Sequence, residues 1–208
     1  MARINYIFSA PRGSVDNLTF SNWKATNYVK KKIQTNKSNT PAQAKVRTAF
    51  SAAVSVIQPI NALIKKGFAL YSKNQSEYNA AVAHVIKNAV TPDLQIDYTK
   101  ILISRGGKIL PLQNPTVNAA TDSLSVSWED NSNESGNSNP TDKTLFCVIN
   151  TSKNESSFAI DAAERHEESQ SFALPSHWET GDQLHIYIGL TSQKDVSTSQ
   201  YIGAFSLS

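Results

Sequence analysis

Histidine and cysteine are the side chains that most often carry out catalysis or bind metals, and this chain of 208 residues has four histidines and one cysteine. His166 opens a His-Glu-Glu run, but a zinc-binding helix needs a second histidine four residues later, where Gln170 stands. Cys147 lies inside TLFCVIN, a run typical of a buried strand, so we expect a core residue and not a nucleophile. His185 alternates with apolar neighbours and is expected on the solvent face of its strand. A disulfide framework and a cysteine-rich zinc site are excluded.

Spaced acidic residues and short motifs point to no further chemistry. Asp130, Ser132 and Glu134 alternate as in a calcium-binding loop, yet Ser135 occupies the place where that loop needs glycine. The chain has no Gly-x-Ser-x-Gly elbow, no phosphate-binding loop and no dinucleotide-binding fingerprint. We therefore expect a protein that is not an enzyme, with no catalytic residues, no cofactor and no metal site.

Charge divides the chain into two parts. Residues 1–110 carry 16 Lys and Arg against 4 Asp and Glu, a net charge of +12, whereas residues 111–208 carry 4 against 13, a net charge of −9. The basic part could bind an acidic polymer, or the two parts could face each other within one molecule. Contact between the basic part of one copy and the acidic part of the next would propagate into a ring or filament. A simply solvated surface is the fourth alternative.

The densest basic segment lies near the amino terminus, where aromatic side chains are interleaved with the cations. The predicted basic surface consists of Arg12, Lys24, Lys30, Lys31 and Lys32. Together with Trp23 and Tyr28 it resembles the surfaces that bind single-stranded nucleic acid. Consecutive strand residues point to opposite faces, so the three adjacent lysines cannot all contact one ligand. Lysines on an edge strand also prevent unwanted pairing.

The elements that would position these side chains change type along the chain. Ile4, Tyr6 and Phe8 alternate with other residues as in a short strand, and residues 15–22 and 26–33 predict a hairpin. A helix is expected to begin at Thr40-Pro41 and to end or kink at Pro59. Its predicted apolar face is Val46, Phe50, Val54 and Ile57. A further helix is expected over residues 76–89, and its predicted buried stripe is Tyr78, Val82, Val85, Ile86 and Ala89.

From residue 94 onward the pattern changes to short strand-like runs separated by turn residues. These runs cover residues 94–103, 107–111, 115–119, 123–129, 144–150, 156–161, 170–174, 183–191 and 198–207. Such spacing predicts an antiparallel sandwich, with a polar hairpin tip at 129–143. We predict an α+β fold, in which a basic domain of β-hairpin and helices (1–104) precedes an acidic Ig/fibronectin-like β-sandwich (105–208).

Several segments resemble a family of uncharacterised Bacteroidota proteins that is defined only as a domain of unknown function. The matching segments are TPAQAKVRTAF (40–50), YNAAVAHVIKNAV (78–90), IDYTKILISRG (96–106), WEDNSNESGNSNPTDK (128–143) and YIG (201–203). Trp23-Lys24 stands where the family has a Trp-Lys-Gly turn, with Ala25 in place of the glycine. The resemblance implies the same two-part layout and supplies no activity, ligand or catalytic residue.

A non-enzymatic structural protein that self-assembles into a filament or array is the function we expect. Strand pairing between copies would use the two chain ends, through Ile4, Tyr6, Phe8, Tyr201, Phe205 and Leu207. The partner would then be a second copy of this chain. One alternative is binding of nucleic acid or another acidic polymer, and a second is carbohydrate binding through Trp128, Trp178 or Tyr187, although Trp128 is expected in the core.

Membrane insertion is not expected, because no apolar run approaches the roughly 20 residues that span a bilayer. The first residues lack the basic-then-apolar pattern of a classical secretion signal. Synthesis in the cytoplasm is therefore expected, while export by another route to the cell surface, or a place in a phage-like particle, stays open.

Overall fold

The computed structural model describes residues 2–4, 12–23, 26–32, 40–72, 75–120, 122–134 and 137–207. The chain forms two compact units, Met1–Pro41 and Ala42–Ser208. The boundary predicted between residues 104 and 105 falls within the second unit.

The first unit is a four-stranded antiparallel sheet. Its strands are β1 (Ala2–Ile4), β2 (Gly13–Val15), β3 (Leu18–Trp23) and β4 (Thr26–Lys31), in the order β1-β4-β3-β2. Pairing of β3 with β4 confirms the predicted hairpin. Ile4 lies in β1, which pairs with β4 of the same chain, while Tyr6 and Phe8 lie outside the described residues. None of the residues of this unit whose burial is described is buried, so that part of the sheet has no core of its own.

The second unit begins with three helices: α1 (Pro41–Ile57), α2 (Asn61–Gly67) and α3 (Glu77–Asn88). Pro59 separates the first two, as expected for a residue that lacks a backbone N–H. Ser76 caps α3 by accepting a hydrogen bond from the Asn79 backbone N–H at 3.2 Å. The predicted stripe of α3 is confirmed, because its members are buried or packed against the core.

The apolar face predicted for α1 is right only in its carboxyl-terminal half. Ile57 is buried and Val54 packs against the core. Val46 and Phe50 are 69% and 52% exposed, and no residue from 41 to 52 is buried. Helical spacing placed these side chains on one face, but no described element covers the first three turns of that face.

Seven strands form the rest of the second unit. They are β5 (Gln113–Ala119), β6 (Ser123–Glu129), β7 (Lys143–Asn150), β8 (Glu155–Glu164), β9 (Ser169–Ala173), β10 (Gln183–Thr191) and β11 (Gln200–Ser206). One sheet has the order β5-β6-β9 and the other β11-β10-β7-β8, with all neighbours antiparallel. The three strands β5, β6 and β9 therefore oppose the four strands β7, β8, β10 and β11. This is the division of an Ig/fibronectin-like sandwich. The predicted α+β class is confirmed.

The four-stranded sheet of the sandwich is covered on both faces. One apolar cluster, including Val126, Phe146 and Ile186, lies between the two sheets. A second cluster, including Cys147 and Tyr187, lies between the other face of this sheet and the helices. Burial on both sides explains why β7 and β10 are nearly continuous apolar runs instead of alternating ones.

Two predicted strands, 94–103 and 107–111, do not form. Residues 101–106 instead form an irregular connection, here called the strap, after a 3₁₀ turn at Tyr98–Lys100. The Ser199 hydroxyl accepts hydrogen bonds from the backbone N–H groups of Ile103 (3.0 Å) and Ser104 (3.3 Å), and Arg105 N–H donates to the Gly67 carbonyl at 2.9 Å. The prediction was wrong because the strap bonds to two different elements and therefore builds no continuous ladder.

A β-bulge divides the predicted face of the last strand. Tyr201 pairs with Tyr187, whereas Gly203 pairs with Ile186, so Ile202 is the extra residue. Tyr201 consequently packs on the helix side, and Phe205 and Leu207 pack between the sheets. These side chains were expected on one face, but the bulge reverses the alternation between them.

Candidate interaction surfaces

The sheet of the first unit has two chemically different faces, defined by its register. Val15 lies opposite Leu18, Leu18 opposite Lys31, and Phe20 opposite Val29, so these five residues share what we call the apolar face. Val15 and Leu18 are 68% and 45% exposed. A sheet this small needs packing on an apolar face for stability, so this face is a candidate binding surface.

The opposite face, here called the polar face, carries Thr19, Ser21, Trp23, Thr26, Tyr28 and Lys30. Trp23 is half-exposed, and Tyr28 is partly buried. Two aromatic rings and a cation therefore share one side of the sheet.

The predicted basic surface is distributed over both faces. Lys30 pairs with Thr19 and Lys31 with Leu18, so these lysines point in opposite directions, as the sequence predicted. Lys32 follows the strand, and its backbone N–H donates to the Asn17 carbonyl at 2.6 Å. Arg12 is exposed just before β2, and Lys24 lies outside the described residues. None of the four described cations forms an ion pair within the described residues.

Carboxylates gather at one end of the sandwich. This acidic corner consists of Glu129, Asp130, Glu134, Glu164, Glu167 and Glu168. Its two segments are joined by hydrogen bonds from Trp128 N–H to the Glu168 carbonyl (2.9 Å) and from Asp130 N–H to the Glu168 carboxylate (3.2 Å). Within the described residues, Glu164 alone among the six has a basic side chain within 4 Å, the His166 imidazole at 3.4 Å. Lys143 lies opposite Glu164 in the sheet and offsets one of these charges.

A buried arginine, Arg165, holds together the segments that carry the acidic corner. The Arg165 side chain is fully buried, donates from Nη2 to Asp142 at 3.3 Å and to the Leu110 carbonyl at 2.9 Å, and donates from Nη1 to Asn131. Burial lowers the pKa of Arg165, against the opposing effect of Asp142. The segment 129–143, predicted as a polar hairpin tip, instead includes buried residues packed against this guanidinium. The sequence held one sign of this buried site, because Arg165 is the single arginine in residues 111–208.

The single cysteine of the chain, Cys147, is buried in the core. Burial raises the pKa of the Cys147 thiol far above its usual range, so its reactive thiolate is not formed near neutral pH. Within the described residues no group of three or more His, Cys, Asp or Glu is arranged to hold a metal ion. A polar cleft of about 680 Å³ mixes cations with anions, and Lys66 pairs with Asp161 in it.

His185 lies on the face predicted for it, but that face is covered. Tyr98 stacks on the imidazole with ring centroids 4.4 Å apart, and the Tyr201 hydroxyl lies 3.0 Å from Nδ1. Burial lowers the pKa of His185, which favours the neutral ring. Tyr187, two residues after His185 in β10, donates a hydrogen bond from its hydroxyl to the Tyr98 carbonyl at 2.7 Å. This cluster joins the 3₁₀ turn to the sandwich.

Comparison with known proteins identifies a family but no activity. No curated protein matches the chain. The fn3 domain of human collagen alpha-1(XX) chain is a distant structural match, at 10% identity and a TM-score of 0.38 over 50% of this chain and 90% of that one. Residues 10–203 match the family described as "Family of unknown function (DUF6266)". The chain therefore belongs to this family of unknown function.

Proposed function

We propose that the protein is a non-enzymatic structural protein that self-assembles into a filament or other repeating array. The observation that carries the proposal is the separation of charge between the two units. Met1–Pro41 has 7 Lys and Arg against 1 Asp, whereas Ala42–Ser208 has 13 Lys and Arg against 16 Asp and Glu. Contact between the polar face of one copy and the acidic corner of the next joins unlike surfaces, and such a contact repeats from copy to copy.

Local geometry supports this pairing. Lys30 lies on the polar face, and five of the six carboxylates of the acidic corner form no ion pair within the described residues. The acidic corner is held in place by Arg165 and is therefore preorganised for a cationic partner.

Edge strands offer a second type of contact between copies. β1 and β11 each stand at the end of a sheet, so one side of each pairs within the chain. The other side can accept a strand from a neighbouring copy, by the backbone pairing that sheet edges generally support. The side chains of Tyr201, Phe205 and Leu207 already pack within the molecule, so at β11 this pairing would rest on backbone groups.

Charge swaps test the proposal. Negative-stain microscopy and sedimentation velocity are expected to show regular assemblies at low salt that dissociate at high salt. Both Lys30→Glu/Lys32→Glu and Glu134→Lys/Glu167→Lys should abolish assembly, and the two pairs combined in one chain should restore it. The control is Asp122→Lys/Glu179→Lys, which makes the same charge change outside the acidic corner and should leave assembly intact.

Two outcomes would contradict self-assembly by charge: a uniform monomer of about 23 kDa at every salt concentration, or assemblies that neither swap affects. Deleting residues 1–10 tests the strand-pairing version separately. A folded monomer is expected, and unchanged assembly after this deletion excludes pairing through β1.

Binding of single-stranded nucleic acid is a second candidate, favoured by the shared placement of Trp23, Tyr28 and Lys30 on the polar face. Fluorescence anisotropy with a labelled oligonucleotide should then show binding that weakens steeply with salt and is lost in Trp23→Ala. Carbohydrate binding through the aromatic side chains predicted for it has no comparable support, because Trp128, Trp178 and Tyr187 are 4%, 6% and 0% exposed.

A further inference from the structure

We propose that the apolar face of the first unit binds the surface of an anionic lipid bilayer, with Val15 and Leu18 entering the interface. These two residues are cross-strand neighbours at the turn between β2 and β3, and they are 68% and 45% exposed. Aliphatic side chains at the tip of a hairpin can reach past the lipid headgroups without a spanning segment. The inference concerns the face opposite Lys30 and does not depend on self-assembly.

The unit that carries this aliphatic pair is basic. Lys31 lies directly opposite Leu18, so one cation shares the apolar face with the pair. Residues 1–41 carry 7 Lys and Arg against a single carboxylate, Asp16, which lies at the turn itself. This positive charge matches an anionic headgroup surface.

The distribution of exposed apolar side chains favours lipid over a second copy as the occupant. All seven large apolar side chains that are exposed among the described residues lie between positions 15 and 71. The acidic corner thus offers carboxylates but no large exposed apolar side chain to Val15 and Leu18. Contact between two apolar faces would bring two basic units together, which costs free energy. An anionic bilayer supplies negative charge and an apolar interior at once.

Binding of this kind is peripheral and needs no spanning helix. None of the described helices is long and apolar enough to cross a membrane. The expected position is on the bilayer surface, with the hairpin tip entering and the rest of the chain outside.

Vesicle co-sedimentation with the full chain tests the inference. Vesicles of phosphatidylglycerol and phosphatidylcholine are expected to retain the protein, and pure phosphatidylcholine vesicles to retain much less. Val15→Ser/Leu18→Ser should weaken binding by about tenfold or more. Ser21→Asp, an exposed substitution on the polar face, is a control for general surface polarity. It should weaken vesicle binding less than Val15→Ser/Leu18→Ser does.

Asp16→Asn provides a variant that should gain binding. Asp16 has a φ of 47°, a conformation that asparagine tolerates, so the turn is retained while one negative charge is removed. Anionic vesicles should bind this variant roughly fivefold more tightly, the effect of about one charge at a membrane surface.

Three outcomes would overturn the inference. Absence of binding to anionic vesicles would exclude a lipid surface. Binding that survives Val15→Ser/Leu18→Ser, with circular dichroism unchanged, would place the contact on another basic surface. Loss of self-assembly in that variant, without any vesicle binding by the parent chain, would identify a second copy as the occupant of the apolar face.

Discussion

At the scale of single residues, Arg165 connects the packing of the sandwich to the charge on its surface. Its guanidinium is fully buried against Asp142, while its backbone carbonyl accepts the Trp128 indole N–H at 2.7 Å. Desolvating an ion pair costs free energy that only good geometry and further hydrogen bonds offset. Here those bonds go to Asn131 and Leu110, which fixes the segments that carry the exposed carboxylates.

Replacing Arg165 by methionine is expected to lower the free energy of unfolding by about 3–5 kcal/mol, because Asp142 would remain as a buried charge without its partner. Urea denaturation measures the change. Adding Asp142→Asn to that variant should recover part of the loss, since the uncompensated charge is removed.

Lys100→Met is the matched control for this prediction. Lys100 pairs with Asp97 at 2.9 Å, but its side chain is 60% exposed, so a change of about 1 kcal/mol or less is expected. Equal losses for Arg165→Met and Lys100→Met would show that burial of the Arg165 pair has no energetic role.

At the scale of elements, the strap attaches the helices to the sandwich. It runs between α2 and the segment that precedes β11, and its backbone approaches both closely. A Cβ added to Gly67 would lie 2.1 Å from the Ile103 carbonyl oxygen, and one added to Gly189 would lie 2.4 Å from the Ser104 hydroxyl. These glycines are therefore required by close contact between elements.

Gly106→Ala should destabilise the protein by about 2 kcal/mol, because the new Cβ would lie 1.7 Å from the Val196 carbonyl oxygen and force the strap away. The neighbouring residue provides the control, since a Cβ on Gly107 would meet nothing within 4 Å. Thermal denaturation should show a lower Tm for Gly106→Ala and nearly the parental Tm for Gly107→Ala. Similar Tm values for both variants would refute tight packing of the strap.

At the scale of the whole molecule, the two units differ in what holds each together. Both apolar clusters lie in Ala42–Ser208, where they form the two inner layers of a helix–sheet–sheet arrangement. No described residue of the first unit belongs to either cluster. Stability should therefore come mostly from the second unit.

A fragment of residues 42–208 is expected to fold by itself and to keep a Tm within a few degrees of the full chain, because both apolar clusters of the described residues lie within it. Near-ultraviolet circular dichroism should retain the signal of the buried Trp128 and Trp178. The same fragment should lose vesicle binding, if the apolar face is its site. An unfolded fragment would show that the first unit contributes to the core.

Much of this architecture was determined by the sequence itself. The proline at 59, the serine that caps α3 and the continuous apolar run of β7 each set a local conformation through the chemistry of the residues involved. The division of charge between the amino-terminal and carboxyl-terminal parts is likewise a property of composition. Local preferences and charge depend on near neighbours in the chain, and for that reason they can be predicted from it.

Tertiary structure alone decided which of the predicted faces are covered. Val46 and Phe50 have the same helical spacing as Ile57, yet only Ile57 meets another element. Likewise, residues 94–103 alternate as a strand does, but their backbone groups bond to residues 89–91 at the end of α3 and, at Ile103, to Ser199 before β11 instead of to a sheet. Periodicity determines which side chains share a face, whereas burial depends on what distant segments bring to that face.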